Sequence, residues 1–281
     1  MTSATQVAPV SPASPTAGRR AAGFAHLLLG EWTKIRSVRS TIWSLIVLVV
    51  VSLGFTALFA ALTAANWNGP RAAPRDATIL ADPVTSILGG TGLGQLAVCV
   101  LGTLVMTTEY STGVIRASLL AVPRRIPMLA AKAVVFAALI FVVGEIVTFG
   151  SFFLGSAILH SHVAVSLGQP GVARAVIGTG LALTVLGLFA MAIGALIRHT
   201  AGAIATVIGV VLVLPILTGL LPGSWGAHVN AYLPEQAGGL ISQAHEQAGN
   251  LLTPWQGFGV FCIWTALLLI AAGYLLRRRD A

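Results

Sequence analysis

The run TIWSLIVLVVVSLGFTALFAALTA, residues 41–64, holds no charged residue and presents apolar side chains on every side. A helix rises about 1.5 Å per residue, so about 20 residues cover the roughly 30 Å hydrocarbon core of a bilayer. A helix on the surface of a soluble protein would carry a polar face, and this stretch carries none. It reads as a transmembrane helix. Outward from it, five stretches of the same kind are expected near 87–108, 131–159, 172–197, 201–221 and 256–276. In lipid every backbone polar group must be satisfied within the segment, so these spans are helical. The fold class expected is all-α: a polytopic membrane protein with six transmembrane helices.

Composition agrees. The chain has 281 residues, 56% hydrophobic and 9% charged, where a soluble domain carries about 25% charged residues. Mean hydropathy is +0.91. A soluble enzyme of this composition would expose large apolar patches, and a disordered chain would be far more polar. The two lysines, Lys34 and Lys132, stand in Thr-Lys-Ile and Ala-Lys-Ala. Neither belongs to a phosphate-binding Gly-Lys-Ser/Thr loop, so no ATPase domain is expected. Cys99 and Cys262 both fall in apolar runs, which gives no disulfide framework and no cysteine zinc site.

The charges sort by side. Arg19, Arg20, Lys34, Arg36 and Arg39 precede the first span. Arg116, Arg124, Arg125 and Lys132 lie around the second loop, Arg198 in the fourth, and Arg277, Arg278 and Arg279 at the end. The alternate loops hold only Arg71, Arg75 and Arg174. The positive-inside rule then predicts both termini in the cytoplasm. It also accounts for the net charge of +8 without a nucleic-acid partner, since no aromatic-basic stripe suggests base stacking.

Residues 1–21 read as a disordered Ser/Thr/Pro/Ala-rich tail, and 22–281 as one membrane domain. Over 22–36, Phe24, Leu27, Leu28, Trp32 and Ile35 recur at helical spacing. This predicts an interfacial helix carrying Glu31, Trp32, Lys34, Arg36 and Arg39 nearby, with Trp32 as the anchor to membrane lipid. A plain lead-in to the first span is the alternative. In 222–255, Pro234 is expected to open a short helix.

The second loop is Glu109-Tyr110-Ser111-Thr112-Gly113-Val-Ile-Arg116-Ala-Ser-Leu119-Leu120-Ala-Val-Pro123-Arg124-Arg125. Gly113 can end the helix leaving the membrane, and the apolar residues between charged ends suit a short docking helix. A surface loop that serves topology alone reads equally well. Here the chain resembles the membrane subunit of a bacterial ABC-2-type ABC transporter, a permease. The resemblance is carried by Glu31-Trp32-Thr-Lys34-Ile-Arg36 through Trp43, by Glu109 to Arg116, by Pro123-Arg124-Arg125 with Lys132, and by Leu275 to Asp280. It implies a coupling helix within Thr112–Val122 that sits in a cleft of a separate ABC ATPase. It implies a second permease copy or a related permease, ATP and magnesium on the ATPase alone, and an elbow helix at 24–36. The chain itself then has no catalytic, cofactor or metal residue, and its place is the plasma membrane.

Glu145 is the charge deepest in a span, where it should face protein or water; a pathway role and a packing role both fit. Lys132, thirteen residues earlier, lies too far along the helix to be its partner. Gly180, Gly187 and Gly194 recur every seven residues and line one face for close helix packing, within the chain or between copies. Gly90, Gly92 and Gly94 fit either a flexible entrance or tight packing. His160 and His162 point apart on a helix and make no metal site. The function expected is the permease subunit of an exporter driven by a partner ATPase. The alternatives are an autonomous carrier or channel using Glu145, and a membrane accessory protein that transports nothing.

Overall fold

The computed structural model describes residues 23–69, 72–113, 125–221, 223–247 and 249–278. Among these, every regular element is a helix. Six helices are long and apolar enough to cross a membrane, so the chain is a multi-pass all-α membrane protein. A short amphipathic helix, α1 (Phe24–Ser37), leads into the first span, α2 (Arg39–Ala65). Two short helices follow, α3 (Ala73–Ala81) and α4 (Pro83–Leu88), then the second span α5 (Thr91–Ser111). The third and fourth spans are α6 (Arg125–Leu159) and α7 (Val172–Ile197). The fifth is α8 (Thr200–Gly219). Beyond it lie α9 (Gly223–Ala231) and α10 (Pro234–Gly239), and the sixth span is α11 (Pro254–Arg278).

The centre of the bundle is α7. It packs against α5, α6, α8 and α11, and α2 closes the other side of α5 and α6. Side chains such as Val98, Leu101, Phe136, Ile140 and Leu183 fill the core between them. The rim is equally apolar but exposed: Trp43 and Val50 on α2, Ile216 and Leu217 on α8, Ile263 and Ile270 on α11. Outside and inside alike are greasy because lipid replaces water as the solvent. Association within the bundle then depends on close contact rather than on burial from water.

Glycines supply that contact. A Cβ at Gly102 of α5 would lie 2.5 Å from the Gly187 carbonyl oxygen on α7, and one at Gly194 would lie 2.9 Å from that of Thr103. At Gly187 it would meet Phe136 and Val98 of the same chain. The seven-residue glycine row therefore faces α5 and α6. The Gly90–Gly94 series splits by phase. Gly90 and Gly94 press on Ser52 and Thr56 of α2, whereas a Cβ on Gly92 would meet nothing within 4 Å.

Helix ends follow local chemistry. Asp82 caps α4, accepting from the Thr85 amide at 3.1 Å and its hydroxyl at 2.7 Å. Gly113, at φ 71°, lies just past the end of α5, in the left-handed region that ends helices. The tight hairpin at 198–200 turns on Arg198, at φ 60°, and His199 Nδ1 accepts from the Gly202 amide to start α8. Within α8, Gly209–Val213 form a π turn in which the Leu214 amide donates to Gly209. It ends two residues before Pro215, which has no amide to give.

The spans lie where the sequence predicted them, with one informative shift. The third helix begins at Arg125 rather than near 131. Its 35 residues are about 52 Å long, well beyond the hydrocarbon thickness. Lys132 thus sits two turns inside the helix instead of at its mouth.

Candidate functional site

Four charged side chains from three separate elements meet where α1, the end of α5 and the start of α6 converge. Lys132 Nζ of α6 lies 2.6 Å from Glu31 Oε2 of α1 and 2.8 Å from Glu109 Oε1 of α5. Lys34 Nζ lies 2.6 Å from Glu31 Oε1 and 3.5 Å from Glu109 Oε1. The cluster holds two cations and two anions. Lys132 is 2% exposed and Glu31 4%, so both depend on each other rather than on water. Burial pushes the Glu31 carboxyl up, but Lys132 and Lys34 together outweigh it and hold the group below the ordinary carboxylate value. Burial likewise pushes Lys34 down, and Glu31 and Glu109 more than reverse this. Opposite charges at hydrogen-bond distance favour both charged forms.

The geometry sets the rotation of α1. Its apolar spacing grouped Phe24, Leu27, Leu28, Trp32 and Ile35, with Trp32 expected as the lipid anchor. The face turned to the bundle is Glu31, Lys34 and Ile35, with Leu28 beside them, while Phe24 and Trp32 are both 46% exposed. The ion pairs decide the rotation, because a buried carboxylate costs far more unpaired than an exposed tryptophan does in a lipid interface. Arg36 and Arg39 point away from the bundle and are exposed.

Further contacts gather at the same end. The Arg198 guanidinium lies 4.9 Å from the Tyr110 ring centroid, and Arg125 Nη1 donates to the Leu276 carbonyl at 2.7 Å. Thr112 Oγ1 donates to Thr108. Tyr110 is thereby tied to Arg198, and Arg125 to the last turn of α11. The expected docking residues Arg116, Leu119, Leu120, Pro123 and Arg124 lie outside the described residues.

Compared with models of known protein families the chain matches none, and no curated protein matches it in sequence. The weight therefore rests on the geometry.

Glu145 stands apart from this cluster. Both its carboxylate oxygens are buried with no hydrogen-bond partner among the described residues. They occupy the space that Gly180 leaves on α7, where a Cβ would be 2.5 Å from Oε1. The side chain thus faces protein, and Gly180 is the residue that makes room for it.

The sequence reading placed Glu31, Lys34, Glu109 and Lys132 in three unrelated roles and missed their meeting. One signal was available. The chain has two lysines in all, and both sit in this cluster while arginine serves everywhere else.

Proposed function

We propose that the chain is the membrane permease subunit of an ABC-type exporter in the bacterial plasma membrane. It moves a substrate across the bilayer with energy from ATP hydrolysed on a separate ATPase subunit. In this reading the end that carries the Glu31–Lys132 cluster is cytoplasmic, as are both termini, and two permeases act together. ATP and magnesium belong to the partner, and the chain itself catalyses nothing.

The observation that supports the reading is the clamp around loop 112–124. The helices entering and leaving that loop, α5 and α6, are joined through Glu109 and Lys132, and both are joined to α1 through Glu31. A partner that pushes on the loop would therefore move α1, α5 and α6 as one body rather than bending a flexible linker. Rigid coupling of this kind is what a stroke delivered by ATPase closure needs. The sequence resemblance at Glu109–Arg116 and Glu31–Trp43 points the same way.

Affinity purification of the tagged full chain from its native membrane tests the proposal. A stoichiometric P-loop ATPase should co-purify and be lost on changing Leu119 and Leu120 to proline. A homo-oligomer that brings down no ATPase would sink the reading.

The unpartnered Glu145 carboxylate favours one rival, an autonomous proton-coupled carrier. That rival requires pH-driven transport in proteoliposomes holding this chain alone, abolished by Glu145→Gln.

A further inference from the structure

At the end of the bundle opposite the ionic cluster lies a cavity of about 250 Å³, walled by α4, α5, α7, α10 and α11. We propose that it binds a small organic ammonium ion, with the Glu235 carboxylate as its counter-charge.

The lining argues for that chemistry. Glu235 is its single charged residue, and no Lys, Arg or His lines it among the described residues. Three threonines contribute hydroxyls, and each has already given its hydrogen away. Thr85 donates to Asp82, Thr91 to the Leu88 carbonyl and Thr179 to the Ala175 carbonyl. What they can still offer is oxygen lone pairs. Gln95 lines the cavity with Glu235 and opposes the effect of burial on that carboxyl; its side-chain amide offers a carbonyl acceptor as well as N–H donors. The cavity therefore presents several acceptors and one negative charge, the complement of a positively charged donor. Ser242 adds a hydroxyl that can donate as well as accept, but an anion would face the Glu235 carboxylate with no cation in the lining to offset it. Phe261 supplies an aromatic wall, which also favours a cation.

Size separates an organic cation from a bare metal ion. A cavity of about 150 Å³ takes a benzene, so by proportion this one takes about ten non-hydrogen atoms. Its walls are shaped to stay open. Gly92 and Gly239 both line it, and a Cβ on either would meet nothing within 4 Å. Their neighbours Gly90, Gly94 and Gly238 are instead pressed against other helices. Burial pushes the Glu235 carboxyl above its ordinary value, opposed by Gln95; an arriving cation would relieve that penalty.

The site concerns binding alone and stands whether or not the chain is a permease. Its test uses the purified full chain in lipid nanodiscs, titrated calorimetrically with 2-phenylethylammonium, 2-phenylethanol, phenylacetate and sodium chloride. The ammonium should bind, and the alcohol and carboxylate of similar shape should not. Glu235→Gln should weaken binding about tenfold to a hundredfold, the loss expected for a charge-assisted contact. Gly92→Leu and Gly239→Leu should abolish it by filling open space, whereas Gly54→Leu on the exposed face of α2 should leave it unchanged. Equal binding of all three organic probes, no binding up to millimolar concentration, binding of sodium without the amine, or an unaltered Glu235→Gln affinity would each overturn the proposal.

Discussion

Lys132 and Glu31 lie 101 positions apart in the chain, yet they form the most enclosed ion pair among the described residues, with 2% and 5% of their side chains exposed. Removing one member leaves the other buried and short of its counter-charge. Lys132→Met should therefore cost about 3–5 kcal/mol, read as a lowered thermal midpoint of the purified protein. The double variant with Glu31→Gln should lose less than the two single losses added, because the charge left stranded by one change is removed by the other. Strict additivity would show that the pair is not energetically coupled.

The same cluster sets a pH window. The folded pKa of Glu31 is lowered from 4.5, so its contribution is present above that value and is lost as pH falls through the lower folded value. Lys34 is raised from 10.5, so its contribution is present below that value and is lost as pH rises past the folded one. Thermal stability should be flat between these limits and fall on both sides. Glu31→Gln should remove its own part of the acid side and also reduce the basic side, because Glu31 helps hold Lys34 raised. An acid limb of unchanged size in that variant would contradict the assignment.

Glu145 and Gly180 predict a reciprocal pair. Gly180→Ala places a methyl group 2.5 Å from Glu145 Oε1 and should destabilise by about 1–3 kcal/mol, the usual range for overpacking. Glu145→Ala should restore the loss. Glu145→Met alone should raise the thermal midpoint, since it removes two buried oxygens that lack partners. If Glu145→Met instead lowers it, the carboxyl has a bonded partner.

The glycines should rank by what they face. Gly102→Ala and Gly194→Ala force Cβ atoms onto the backbone oxygens of Gly187 and Thr103, which cannot move aside as a side-chain tip can. Both should reduce the yield of folded protein. Gly259→Ala, with nothing within 4 Å, should be neutral or mildly stabilising through its helix propensity. Comparable losses in all three would refute the packing role.

The six spans were legible because hydropathy is a local property, written over about 20 consecutive residues. The hairpin at Arg198, the helix stop at Gly113 and the proline start at Pro234 were legible for the same reason. The ionic cluster was not. Glu31, Glu109 and Lys132 belong to three segments whose only relation is spatial, and a helical wheel drawn from apolar residues does not say which charges of α1 meet another helix. The Gln95–Glu235 cavity was missed because acceptor character depends on where each threonine sends its hydrogen. Gly92 differs from Gly90 and Gly94 only by helical phase against a neighbour that the sequence does not name.

The π turn in α8 has a geometric consequence. Each residue of an α-helix advances the azimuth by about 100°. The residue accommodated at Gly209–Val213 therefore sets the compass bearing of Ile216, Leu217 and Leu220, which look outward. Ala203 and Val207, before it, stay seated in the bundle. Deleting one residue there would act as a rotation more than as a shortening. It would swing the far half of the span by over a quarter turn while its near half kept its footing, so that aim and anchorage along this helix are separately adjustable.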